Sequence, residues 1–370
     1  MKSNIDELFI HRIALTLIEG VGDVLARQLV SYCGSVEAIF REKKRLLEKI
    51  PEIGPKTAAS IATFNNFQRA EKELDFIRKH QIQSFFYLDN DYPVRLKNCY
   101  DAPIMLYYKG TASLNHNRMV AIVGTRNASE YGKSFTMQLV EELGAMKAIV
   151  VSGLAYGIDI AAHKACIQKN VATIGVMAHG LDRIYPQAHS QAARKMVTHG
   201  GLITEHISGV DPDRENFPKR NRIIAGLCDA VVVVEAAKKG GALITADIAN
   251  SYNRDVFALP GRIHDTFSEG CNMLIKSNRA ALIQSAADIK YIMGWEDENK
   301  VKPSPQKQLF VDLNDDEKKL VSFIIAHEKA AIDSIVIHSG MQPSKVASLL
   351  LNLEFSGVLK CLPGKIYQIN

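Results

Sequence analysis

The residues with the most chemical content lie in one short stretch, Arg214-Glu215-Asn216-Phe217-Pro218-Lys219-Arg220-Asn221-Arg222. Four cations surround an aromatic ring and two amides. That mixture suits single-stranded nucleic acid: charge for the backbone, a ring for stacking, an amide for polar contacts. Asp211, Asp213 and Glu215 dilute the charge, so a solvated surface loop is the competing reading. Three glycine turns add anion-binding potential. Gly124-Thr125-Arg126 follows an apolar run and precedes a helix pattern near Tyr131-Gly132-Lys133-Ser134. Ser152-Gly153-Leu154-Ala155-Tyr156-Gly157-Ile158-Asp159 repeats the arrangement, with Ser152 as a hydroxyl donor and Gly153 permitting close backbone approach. Lys239-Gly240-Gly241-Ala242-Leu243-Ile244-Thr245 is the third, with Thr245 as donor. In each, a helix N-terminus behind a glycine turn favours a phosphate. Arg126 adds a fixed planar charge able to hold one through two parallel hydrogen bonds.

Several chemistries are excluded by the same spacing. Gly132-Lys133-Ser134 has the ending of a Walker loop, but Asn127 stands where its first glycine belongs, and no GxGxxG occurs. Asp159 reads as a helix N-terminal residue and His163 as solvated or capping, so no catalytic residue is assigned. The six cysteines, Cys33, Cys99, Cys166, Cys228, Cys271 and Cys361, are widely spaced and predict buried reduced thiols, with no metal site and no cofactor.

These turns need a scaffold. The 370 residues are 47% hydrophobic, enough for two to four domains. Apolar runs at Val120–Val123, Ala148–Val151, Thr173–Met177, Gly201–Thr204, Ala230–Val234 and Asp255–Ala258 alternate with helical patterns. Continuous apolar strands between helices predict a parallel sheet covered on both faces, an extended Rossmann-like doubly wound α/β domain over residues 81–296. Phe85–Leu88 and Met105–Tyr108 are further strand candidates at its start. Residues 1–80 contain two glycine-centred turns, Leu17-Ile18-Glu19-Gly20-Val21-Gly22 and Ile50-Pro51-Glu52-Ile53-Gly54-Pro55, predicting a helical domain of helix-hairpin-helix (SAM-like) type. Its turns serve either phosphate binding or packing. Residues 297–312, with Pro303 and Pro305, predict a linker, and residues 313–370 a winged helix. Its lysines are matched by acids, so protein is as good a partner for it as DNA. Net charge is +5, compatible with a nucleic-acid partner but too small to establish one. No run approaches the roughly 18 apolar residues of a membrane span, and Met1–Gly20 carries charges where a signal peptide is apolar, which predicts a cytoplasmic protein without a membrane partner.

In their order along the chain, Val120–Arg126, Ser152–Asp159, Gly175–Pro186, Phe217–Leu227, Gly240–Thr245 and Pro260–Ile275 resemble the DprA (Smf) family over essentially the whole sequence. The resemblance implies a homodimeric protein that binds and protects single-stranded DNA without hydrolysing it and loads RecA during natural transformation. It implies that Gly124, Thr125, Arg126, Ser152, Gly153, Arg214, Phe217, Lys219, Arg220 and Asn221 line or border the DNA pocket; Arg222, Gly240, Gly241 and Thr245 join them on the reading of the charged stretch and third turn. The alternative is a Rossmann-like phosphoribohydrolase acting on nucleoside monophosphates. That chemistry needs a carboxylate near the sugar, for which Glu235 is the candidate, although it reads as a strand end.

Overall fold

In the computed structural model, residues 4–295, 313–362 and 364–369 are described, so the expected linker lies outside the described residues. The chain divides into two compact units, ending and starting at Trp295 and Glu296.

The first unit is organised by one nine-stranded sheet, β1 (Gln83–Phe86), β2 (Met105–Gly110), β3 (Met119–Val123), β4 (Ile149–Ser152), β5 (Thr173–Val176), β6 (Gly201–Thr204), β7 (Ala230–Val233), β8 (Asp255–Ala258) and β9 (Ala281–Leu282). The spatial order is β1-β2-β6-β5-β4-β3-β7-β8-β9. From β6 to β9 all pairings are parallel, while β1 and β2 extend the sheet antiparallel. Every residue of β3 to β7 is buried, because helices cover both faces. Apolar side chains therefore fill both sides of the sheet: Ala121, Val123, Val151 and Val233 enter one apolar cluster and Val120, Ile122, Val150 and Val232 the other. The chain runs outward from β3 to β6 and returns to β7 on the other side of β3. The carboxyl ends of β3 and β7 therefore face a topological switch point, where an open α/β sheet leaves its crevice.

Two differences from the sequence reading are local. The first strand covers Gln83–Phe86, not Phe85–Leu88, since Tyr87 and Leu88 belong to a turn that Asp89 closes, with Phe86 N donating to Asp89 Oδ2 at 2.9 Å. The edge strand β9 is only two residues long and leaves no periodic signal.

Residues 4–79 form the helices Asn4–Leu15, Asp23–Cys33, Val36–Arg41, Lys44–Leu47, Pro55–Ala62 and Phe67–Lys79. Gly22 and Gly54 are the N-caps that follow the two hairpin turns, and Pro55 occupies the first helical position, where its missing N–H costs nothing. Gly20 has φ +80°, a conformation that a side chain would strain. The helices share a core with the sheet: Ile13, Leu29, Ile39 and Ile61 pack in one cluster with Phe86, Met105 and Tyr107.

The second unit has helices Asp315–Ala326, Ile332–Ser339 and Pro343–Phe355 and the antiparallel strands β10 (Lys329–Ala331), β11 (Leu359–Leu362) and β12 (Ile366–Ile369), ordered β10-β12-β11. Three helices and a hairpin around Leu320, Ile324, Val346, Leu350 and Leu353 make a winged helix. Asn314 and Glu317 cap its first helix reciprocally, and Lys345 on its third helix pairs with Asp316 at 2.6 Å.

Candidate nucleic-acid interface

At the switch point lies an open crevice of about 710 Å³, within the range of ligand pockets. Its lining unites Gly124, Thr125 and Arg126 after β3 with Arg214, Phe217, Arg220 and Asn221 and with Gly240, Gly241 and Thr245 after β7. Ser152, Gly153, Lys219 and Arg222 are not part of that lining. Tyr185, Lys239 and Asp159 are. Tyr185 escapes a sequence reading because a single tyrosine before a proline carries no pattern.

The turns after β3 and β4 are stitched to each other and to β7. Thr125 N donates to the Glu235 carbonyl at 2.7 Å, and Ile158 N to the Thr125 carbonyl at 3.1 Å. Gly124 is required by this closeness, since a Cβ there would sit 2.5 Å from Ile158 Cγ1. On the sequence reading, the helix Glu130–Ala145 behind the first turn presents its N-terminus to a phosphate. Instead Glu235 fills it: Ser129 N donates to Glu235 Oε2 at 2.9 Å, Ser129 Oγ donates to Oε1, and Gly132 N donates to Ser129 Oγ at 3.1 Å. A Cβ on Gly132 would meet Glu235 Oε2 at 2.5 Å. A protein carboxylate thus supplies the anion that the helix dipole favours. Glu235 is 5% exposed and lies outside the crevice lining, so it is not placed to act on a bound sugar.

The roles expected of the second turn also change. Ser152 is buried and donates to the Ile122 carbonyl at 2.6 Å, so its hydroxyl is spent within the sheet. Gly153 makes room for two side chains, since a Cβ there would lie 2.6 Å from Arg220 Nη2 and 2.7 Å from Asp159 Oδ2. His163 is neither solvated nor capping. It is fully buried, its Nδ1 is 2.8 Å from Thr173 Oγ1, and burial, reinforced by the charges of His189 and Arg220, pushes its pKa down to about 3.

The charged stretch, for which a solvated loop is the competing reading, becomes helical at Asn216, and the helix Asn216–Leu227 sorts its charges by direction. Arg220 points inward: it is 4% exposed, with Nη1 donating to the Gly153 carbonyl at 2.6 Å and to the Val176 carbonyl. Burial pushes Arg220 down to about 10, opposed by Asp159 and aided by the charge of Arg126. Burial likewise raises Asp159, opposed by Arg220. Asn221 donates to the Gly241 carbonyl at 3.3 Å, joining this helix to the third turn. Arg222 points away from the crevice, donating to Asp23 Oδ2 at 3.0 Å, to Glu205 and to the Asp101 carbonyl at 2.6 Å. It clamps the N-terminal helices to the sheet and has no free charge for a ligand. Lys219 is exposed outside the crevice.

Two features remain open to a ligand. Arg126 is exposed and stands over the Phe217 ring at 5.7 Å, with Tyr185 at a centroid distance of 6.0 Å on Phe217. The helix Gly241–Ser251 starts at the exposed pair Gly240 and Gly241 with no side-chain cap. Thr245 does not extend this cradle as a donor, because its hydroxyl returns to the Gly241 carbonyl at 3.0 Å. Backbone N–H groups, Lys239 and Arg126 therefore share the mouth of one crevice, the arrangement that receives phosphate oxygens beside a stacking surface.

Fold and crevice together define a Rossmann-like binding protein for an anionic ligand, preceded along the chain by a helical hairpin module and followed by a winged helix. Residues 83–293 match the family described as DNA recombination-mediator protein A, residues 13–63 a SAM-like helix-hairpin-helix tandem, and residues 303–365 the DprA winged helix domain. The Smf protein of Synechocystis sp. is 33% identical over 96% of this chain and 97% of its own length. The DNA processing protein DprA of Streptococcus pneumoniae is 42% identical over 56% of this chain and 72% of its own, and its crystal structure superposes with a TM-score of 0.67, at 33% identity over 79% of this chain and 98% of that one. The Helicobacter pylori DNA processing protein A, solved for its single-stranded DNA binding mode, gives a TM-score of 0.52 at 30% identity over 58% of this chain and 95% of that one. The chain belongs to the DprA/Smf family of DNA processing proteins. Among the described residues, no helix is long and apolar enough to cross a membrane.

Proposed function

We propose that this protein binds single-stranded DNA in the crevice, protects it, and as a homodimer hands it to RecA in recombination during natural transformation, without turning it over. The observation that carries the binding reading is the pairing of Arg126 with Phe217 at the mouth of the crevice, which also holds the uncapped N-terminus at Gly240 and Gly241. A cation and a ring at one lip suit a backbone phosphate and its unstacked base together. Single-strand binding by the Helicobacter pylori relative supports the same assignment. The site residues we assign to DNA are Gly124, Thr125, Arg126, Arg214, Phe217, Asn221, Gly240 and Gly241, together with Lys239 and Tyr185. Anisotropy of a labelled oligonucleotide, single-stranded and duplex, across a salt series tests this: the single strand binds far ahead of duplex, and equal affinities overturn the reading. The RecA step is tested by whether the protein speeds RecA filament formation on strands coated with single-strand-binding protein. Incubation with nucleoside monophosphates should release no base, and light scattering should give twice the chain mass.

A further inference from the structure

The mouth of the crevice carries Arg126, Arg214 and Lys239, but its floor is different in kind. Asp159, from the first turn of the helix Ile158–Lys169, and Arg220 both line the floor, 7% and 4% exposed. They bracket one point: Arg220 Nη2 and Asp159 Oδ2 lie 2.6 and 2.7 Å from where Gly153 would carry a Cβ. Arg220 cannot swing outward to a phosphate, because Nη1 is held by the Gly153 and Val176 carbonyls and Nε faces Asn221 Oδ1 at 3.4 Å. These contacts engage Nη1 and Nε and leave Nη2 as the donor. The Asp159 carboxylate meets Ala155 N at a long 3.4 Å, and its two oxygens have about four acceptor sites, so accepting capacity is left over. The floor thus offers a fixed donor beside an acceptor. A carboxylate there opposes a phosphate, so the group that fits is uncharged and carries a donor next to an acceptor. In a DNA strand only the edge of a base meets that description.

Given the single-strand binding proposed above, we infer that Asp159 and Arg220 read the Watson–Crick edge of one unstacked base inserted below Phe217, while the phosphates stay at the mouth. Every base has a donor beside an acceptor on that edge, so the pair does not need to select a sequence. It selects against pairing, since the edge it uses is the edge a complementary strand would occupy. Strand discrimination then resides in the floor, and general affinity in the mouth.

The test compares a tract of thymidines with a tract of the same length in which every base is 2,4-difluorotoluene, a thymine-shaped ring without hydrogen-bonding groups. Full substitution prevents the protein from sliding to a natural base. Charge and stacking are preserved, so the wild-type protein should bind the substituted tract about tenfold more weakly, the loss expected of hydrogen bonds to charged groups. In Asp159→Asn and Asp159→Leu proteins, checked for folding by circular dichroism, the gap between tracts should shrink. Equal wild-type affinity for the two tracts, with natural single strands still bound ahead of duplex, overturns this inference and leaves the proposed function standing. Failure to bind the thymidine tract at all overturns the proposed function instead. A tenfold gap that survives unchanged in both Asp159 variants assigns the edge contact to other residues and also overturns the inference. Should neither variant fold, equal wild-type affinity for the two tracts still overturns the inference.

Discussion

Two helices begin just after glycine turns that line the crevice, and their N-termini have met opposite fates. The helix Glu130–Ala145 begins after β3 and is closed by Ser129 and by the Glu235 carboxylate, whereas the helix Gly241–Ser251 begins after β7 with exposed glycines and no cap. Both follow a glycine turn at the carboxyl end of a central parallel strand. Such a turn thus calls for an anion but does not specify its origin. Where the fold supplies its own carboxylate, the turn becomes part of the scaffold. Where it supplies none, the N–H groups wait for a ligand.

Giving the second helix the cap that the first already has should close it to a ligand. Gly240 has an extended backbone, φ 165° and ψ 167°, and a Cβ there would meet nothing within 4 Å, so Gly240→Asp should fold and cap its helix. We expect melting temperature to hold or rise while single-strand affinity drops by about 3 kcal/mol, the size of a lost charge-assisted contact plus repulsion. Unchanged affinity in a titration would place the phosphate elsewhere. Next in size, Phe217→Ala should cost about 2 kcal/mol of binding with the salt dependence unchanged, because a ring carries no charge. Arg126→Ala should weaken binding to every sequence and flatten the slope of log K against log salt by about 0.7, one phosphate's worth on a single strand. If the two variants respond alike to salt, the division of labour at the mouth is wrong.

On the closed side, Glu235→Gln should leave DNA affinity nearly intact and cost about 1 to 2 kcal/mol of stability in urea unfolding, since it weakens a charged cap that is buried. A DNA-binding defect larger than the stability defect would reverse the assignment of the two helices. The smallest effect concerns acid. Burial holds His163 down to about 3 and His206 down to about 4, whereas both protonate near 6.5 when unfolded. The unfolded chain therefore binds more protons below that pH, so the stability these neutral histidines confer is complete above about pH 6.5 and is lost as the pH falls toward 4. At pH 5.5 the loss is about 1 kcal/mol per histidine, and His163→Gln should show a shallower decline in melting temperature between pH 6.5 and 5.5 than the wild type.

Much of the architecture was legible because it rests on local pattern. Gly201–Thr204 and Asp255–Ala258 are strands with the bounds expected from their apolar runs, and β3, β4, β5 and β7 differ from expectation only by single residues at their ends. Buried parallel strands announce themselves, since nothing polar can be tolerated on either face. The charged stretch was harder. Composition showed that Arg214–Arg222 held cations, but helical geometry from Asn216 onward sends Arg220 into the floor and Arg222 toward Asp23 and Glu205. Residues two apart on a helix face different directions, and a linear reading of charge cannot see that.

The succession of strands along the chain, the places where glycine turns meet helices, and the family pattern those turns compose are all written in local sequence. Which turn stays open depends instead on long-range packing. Ser129 and Glu235 are 106 positions apart, and Arg220 reaches Gly153 across 67. The preference of a helix N-terminus for negative charge is a local, generic property written in the turn itself, whereas the identity of the charge that arrives is set by which distant side chain the packing brings within hydrogen-bond reach.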